Sequence, residues 1–100
     1  MTKISEPTAN PTDKVAIILN DREQTHGNFE DHARVTQLFK GTLDHEIGLR
    51  RARKQPELSM MQRESIEMIL HKIGRIIAGN PNFQDHWDDI AGYARIANKL

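Results

Sequence analysis

Two pairs of carboxylates stand out for their spacing. Glu64 and Glu67 lie three residues apart, and so do Asp85 and Asp88. On a helix that spacing is about one turn, so each pair projects from one side. Two such pairs on adjacent antiparallel helices could hold Mg²⁺ through hard oxygen ligands, and the ion could engage the phosphates of a nucleotide. The rest of the chain argues against convergence. At about 100° per residue the apolar face of the third helix centres near Ile73, with Glu64 nearly opposite and Glu67 well off it. On the fourth helix Asp85 and Asp89 lie opposite the side that carries Trp87 and Ala94. If the apolar faces meet in one core, the acids look outward, and a working site needs a dimer or a second layer.

Other chemistry is less developed. His26, His32, His45, His71 and His86 include no pair at i, i+4 on one helix. His71 falls on the polar side of its helix with Glu64 and Arg75, and His86 adjoins Asp85. Hydrogen-bonded histidines at the surface or at a junction account for both. Ser59 reads as a helix cap and Ser65 as a helical residue, and neither has a marked base partner. No Gly-rich phosphate loop of known spacing occurs. Arg50, Arg51, Arg53 and Lys54 form a basic knot that complements a helix C-terminus. It has no interleaved aromatics, so direct nucleic-acid binding is not expected. Asp85, Asp88 and Asp89 suit the positive end of a helix. Such an acidic end can also stand in for nucleic-acid phosphate against a protein's Lys/Arg groove.

The totals set the frame. One hundred residues make one small domain with a thin core, for which self-association or docking on a larger partner is unsurprising. Fourteen Lys+Arg balance fourteen Asp+Glu, which does not suit a protein that coats nucleic acid by bulk charge. Without cysteine there is no disulfide, thiolate metal site or thiol nucleophile, and the composition fits the cytoplasm. No apolar run approaches the roughly 20 residues that span a bilayer, and the N-terminus lacks the layout of a signal peptide. No cofactor is implied.

Four helices must position these groups. Residues 1–10 read as a flexible arm, and 11–100 as one helical domain. Thr12 or Asp13 caps a first helix that carries Val15, Ile18 and Leu19 and stops at Gly27 in a left-handed turn. Asn28 caps a second helix, with Glu30 and Asp31 in its first turn and Ala33, Val35, Leu38, Phe39, Leu43 and Ile47 beyond. Gly41 and Gly48 weaken it by about 1 kcal/mol each, so a bend or break is expected near Gly48. The Gly48–Leu58 connection is then the most mobile loop. Ser59 and Gln62 form a capping box for a third helix with Ile66, Ile69, Leu70, Ile73 and Ile77 on one face. Gly74 allows close approach of a neighbour. Gly79 in a left-handed turn, with Pro81 beyond it, ends that helix. Asn82 caps a fourth, whose buried stripe is Phe83, Trp87, Ile90, Ala91, Ala94 and Ala97. The three alanines and Gly92 suggest tight packing. The fold class is all-α, a small antiparallel bundle.

Three resemblances bear on function. The two acidic pairs resemble the E-x-x-E … E-x-x-D pattern of the MazG-like nucleoside triphosphate pyrophosphohydrolases, which implies Mg²⁺-dependent cleavage of an NTP to NMP and pyrophosphate. Asp85 stands where that pattern has Glu. The ordered run Thr25–Phe29, Gln62–Glu64, Met68–Ile69, His71–Ile76, Ala78–Asn82 and Asp85–Tyr93 resembles a family of small phage and prophage helical proteins of otherwise unassigned function. The chain as a whole, its arm included, is similar to small anti-CRISPR proteins of Pseudomonas mobile elements that act on type I-F complexes. That similarity implies a stoichiometric inhibitor that docks on protein subunits of the crRNA-guided surveillance complex (Cascade) and blocks target DNA binding or hybridisation. Asp85, Asp88 and Asp89, with Glu30 and Asp31 next, are the expected contacts with a basic DNA-binding surface. An accessory protein that binds another host factor is a third reading.

Overall fold

The computed structural model describes residues 13–99, so the expected arm at 1–10 lies outside the described residues. Four helices follow one another: α1 (Lys14–His26), α2 (Phe29–Ala52), α3 (Met60–Ala78) and α4 (Gln84–Asn98). Local chemistry explains most boundaries. The Asp13 carboxylate accepts from the Val15 and Ala16 N–H groups, and the Asn28 side chain accepts from Glu30 and Asp31. Ser59 and Gln62 form the reciprocal capping box, with bonds of 3.0 and 2.9 Å.

Several expectations need correction. The second helix neither bends nor breaks near Gly48: α2 is continuous through Gly41 and Gly48 to Ala52. A glycine costs about 1 kcal/mol in a helix interior, which weakens this 24-residue helix without breaking it. Asp44 pairs with Arg63 of α3, and Arg50 donates to the Pro56 carbonyl at 2.7 Å. The connection after α2 is correspondingly short, and Arg51 is joined to Glu57 across it at 2.8 Å. Asn82 does not cap the fourth helix. Phe83 occupies that position without a side-chain cap, and the Asn80 side chain accepts from the Asn82 N–H instead. Gly79 ends α3 at a φ of −124°, which any residue adopts. Its constraint is space, because a Cβ there would lie 2.4 Å from the His26 carbonyl carbon.

The helices form a layer around α3. This helix contacts each of the other three, while α2 and α4 do not touch. The described chain measures 55 × 33 × 19 Å. Its narrowest dimension is less than two helix diameters. Its radius of gyration, 16.9 Å, exceeds the roughly 13 Å of a compact chain of about 100 residues. Among the described residues no hydrophobic side chain is fully buried. The buried side chains are polar: His32, Thr36, Ser65 and His86, with Gly74 beside them.

The α4 face against α3 also differs from expectation. Phe83, Ile90, Tyr93 and Ala97 are half-buried with His86 deepest among them, whereas Trp87, Ala91 and Ala94 are exposed. The inward stripe is thus 83, 86, 90, 93 and 97, a regular helical spacing. Gly92 meets no neighbour, so it does not mark tight packing. No helix among the described residues is long and apolar enough to cross a membrane.

Candidate functional site

Backbone packing at one end of the layer places the acidic groups. Gly27 has φ +81° and ψ −178°, a glycine-only conformation rather than the left-handed helical turn expected. A Cβ there would fall 1.9 Å from the Ala78 carbonyl oxygen. The α1–α2 junction therefore sits directly on the α3–α4 junction. The Asn80 N–H donates to the Thr25 carbonyl at 3.1 Å, and the His86 ring contacts the same oxygen through Nε2 at 3.1 Å. This joint brings the N-termini of α2 and α4 to one end of the molecule, and with them Glu30, Asp31, Asp85, Asp88 and Asp89.

All five carboxylates are on exposed residues, but their partners differ. Asp89 holds Lys72 of α3 at 2.8 Å. Hydrogen bonding and charge from that ammonium keep the Asp89 carboxyl below its usual range. Asp31 pairs with Arg34 at 3.3 Å, and Asp88 accepts from the Gln84 amide at 3.1 Å. Glu30 and Asp85 have no ion-pair partner among the described residues. The first-turn acids of α2 also favour the positive end of their helix.

The two one-turn pairs are not brought together within one chain. The Lys72–Asp89 bridge fixes the antiparallel register of α3 and α4. At 1.5 Å per residue, Glu64 and Asp85 are then roughly 18 Å apart along the axis, and Glu67 and Asp88 about 9 Å. Direction separates them further. Glu67 pairs with Arg63, which itself reaches Asp44 of α2, while Asp88 lies opposite the α4 residues that face α3. Among the described residues no three His, Asp or Glu side chains are grouped to hold a metal ion. The hollows beside Gly92, lined by Asp88, Asp89, Tyr93 and Ile96 or by Asp88, Ala91 and Arg95, are open depressions.

Sequence reasoning missed a histidine cluster inside the joint. Of the two places expected for His86, surface or junction, it takes the junction, 1% exposed and in contact with the Thr25 carbonyl. Its ring centroid lies 4.8 Å from that of His26, and His32 and His71 are 5.6 Å apart. Burial is the main cause holding three of these rings neutral. It lowers His26 to about 4 with help from Arg75, and depresses His32 and His71, with Arg75 and Lys40 respectively as the next causes. His71 is therefore half-buried against α2 rather than simply solvated. The Gly74 backbone makes room, since a Cβ there would lie 2.7 Å from Thr36 Oγ1 and 3.1 Å from His32 Nδ1. Those two buried atoms have no hydrogen-bond partner among the described residues. The only available signal was the clustering of histidines near the two Gly-containing junctions.

The arrangement offers an acidic, exposed end on a rigid joint, with open hollows beside Gly92. No curated protein and no solved structure matches the chain. A family model described as "Domain of unknown function (DUF6378)" matches residues 12–100, and the chain belongs to that family.

Proposed function

We propose that the protein acts by stoichiometric binding, as an anti-CRISPR inhibitor that docks on a type I-F crRNA-guided surveillance complex and blocks target DNA binding or hybridisation. The observation that supports this reading is the acidic end of the layer. Two helix N-termini present carboxylates in one region, and Glu30 and Asp85 carry no intramolecular counter-charge among the described residues. Carboxylates so placed match the Lys/Arg lining of a groove that otherwise receives DNA phosphate. With zero net charge, binding depends on this local patch rather than on the field of the whole chain. The resemblance to small anti-CRISPR proteins supplies the identity of the partner, and the joint at Gly27 and Gly79 supplies the rigidity that favours binding.

The test is a gel shift. Purified type I-F surveillance complex is incubated with the protein and then offered target double-stranded DNA, with EDTA in one arm. Loss of the shifted band at near-equimolar protein, unchanged by EDTA, is expected. The double variant Glu30→Lys/Asp85→Lys should restore the DNA shift, raising the inhibitor concentration needed at least tenfold. An undisturbed DNA shift and normal DNA cleavage would overturn the proposal. A nucleotide panel with Mg²⁺ then tests the pyrophosphohydrolase reading.

A further inference from the structure

The two sides of the helical layer differ in kind. On α3, Gly74 and His71 face α2, while Lys72 reaches α4. At 100° per residue these markers leave two free sides of the helix. One carries Glu64 and Arg75. The other carries Ile66, Leu70, Ile73 and Ile77, a stripe about three turns long. By the same geometry Trp87, Ala91 and Ala94 of α4 flank the stripe on one edge, on the side of α4 away from Asp89, and Val35 and Phe39 of α2 border the other. Ile77 is 61% exposed and Trp87 50%, while Ile66, Leu70 and Ile73 are only half-buried. The last residue of α1, His26, lies near Arg75 and Lys72 on the other side of α3, and Val15 of α1 is itself 65% exposed.

We infer that this apolar face docks on the same face of a second copy of the chain, around a two-fold axis near Leu70 and Ile73. Three observations favour a copy over an unrelated occupant. First, the layer has no fully buried apolar side chain among the described residues, so chain entropy must be offset by burial outside one copy. A partner required for folding has to be present wherever the chain is made, and a second copy always is. Second, the side is large enough. The layer measures 55 by 33 Å across its long axes, and a stable interface needs about 800 Å² per partner. Third, the charges do not oppose the pairing. The chain is neutral and the Lys72–Asp89 pair lies toward the opposite side, while Arg63, one heptad before Leu70 at the end of the stripe, is already paired with Asp44 and Glu67, so a two-fold pair buries the isoleucine stripe without burying unpaired charge. The acidic end stays exposed in this arrangement, so the inference stands independently of the proposed inhibitor role.

Sedimentation equilibrium of the 100-residue chain over a hundredfold concentration range tests the pairing, with thermal unfolding followed over the same range. Expected are twice the monomer mass and a melting temperature that rises with concentration. Ile77→Lys, on an already exposed residue, should weaken association at least tenfold, and Glu64→Lys on the opposite side should not. Because the chain has no cysteine, single-cysteine variants report the face directly even if the lysine variant folds poorly. Ile73→Cys should cross-link to dimer with a short bismaleimide, and Glu64→Cys should stay monomeric on the gel. A monomer at every concentration, with concentration-independent melting, would overturn the inference. So would a dimer that cross-links through Glu64→Cys rather than Ile73→Cys.

Discussion

At one end of the layer, helix termini meet backbone to backbone, with Gly27 against Ala78 and Gly79 and four histidines packed around the contact. At the other end, α2 and α3 are joined across an exposed connection by Arg50 on the Pro56 carbonyl and Arg51 on Glu57. Both ends fix the relative position of two helices. The first does so by excluding water and leaving no space, the second by charge in solvent. Steric and desolvation terms are large and insensitive to salt, whereas exposed ion pairs contribute little and are screened. The two ends should therefore respond to perturbation on different scales.

The largest effect is expected at Gly27. An alanine there must adopt a conformation that only glycine tolerates and must push a Cβ into the Ala78 carbonyl. Gly27→Ala should cost about 3 kcal/mol or more, enough to unfold a marginal domain. Urea unfolding followed by circular dichroism checks it. A midpoint equal to that of the parent would mean that the joint yields easily and that the contrast between the two ends is mistaken.

The same contrast explains what could be read from the sequence. Asp13, Asn28 and Ser59 were legible as caps because capping is local chemistry that needs no neighbour. The four helices followed from spacing and punctuation. Gly48 misled because a propensity cost of about 1 kcal/mol weakens a helix without breaking it, and Leu43, Ile47 and Leu49 around it are half-buried. Trp87 misled because periodicity marks an apolar side without saying what covers it. Its indole N–H donates to the Pro81 carbonyl at 2.8 Å, which pins the ring at the helix start while half its surface stays open. His86 was hidden by its type, since a polar residue carries no sequence mark of burial. The acidic residues were visible as a group on the chain, but their common location depends on the Gly27–Gly79 contact between segments far apart in sequence.

Acid should separate the two ends next. The His26, His32 and His71 rings are held below the ordinary value of 6.5 in the fold, His26 down to about 4, chiefly by burial. Unfolded, they titrate near 6.5. Below that pH the unfolded chain binds protons that the folded chain does not, so stability falls as pH drops from about 6.5 toward 4 and is insensitive to these groups above about 7.5. Arg75 and Lys72 face His26 and oppose its protonation, and Glu64 and Glu67 partly counter this at His71. At fixed protein concentration, the urea midpoint should be clearly lower at pH 5 than at pH 7.5. His26→Gln should flatten the slope between them. Glu57 at the other end has its carboxyl lowered by Arg51, so its contribution is lost only as pH falls through the carboxylate range. Equal midpoints at pH 5 and 7.5 would refute the buried-histidine account.

The smallest effect belongs to Arg51. Its guanidinium makes two contacts with Glu57, 2.8 and 3.3 Å, yet both side chains are mostly in water. The attraction acts through high dielectric and is offset by the entropy of fixing two long side chains. Arg51→Ala should therefore leave the urea midpoint close to that of the parent, and 0.5 M salt should remove what difference there is. The neighbouring Arg50 differs, since its guanidinium donates to a backbone carbonyl rather than to a carboxylate and its Nε is buried without a partner among the described residues. Arg50→Ala should exceed Arg51→Ala in effect and keep its effect in salt, because the Pro56 carbonyl loses a donor that salt does not screen. Unfolding curves of both variants at low and high salt decide this. If Arg51→Ala proves the more damaging of the two, charge rather than backbone satisfaction holds that end of the layer, and the difference between the two ends is one of degree.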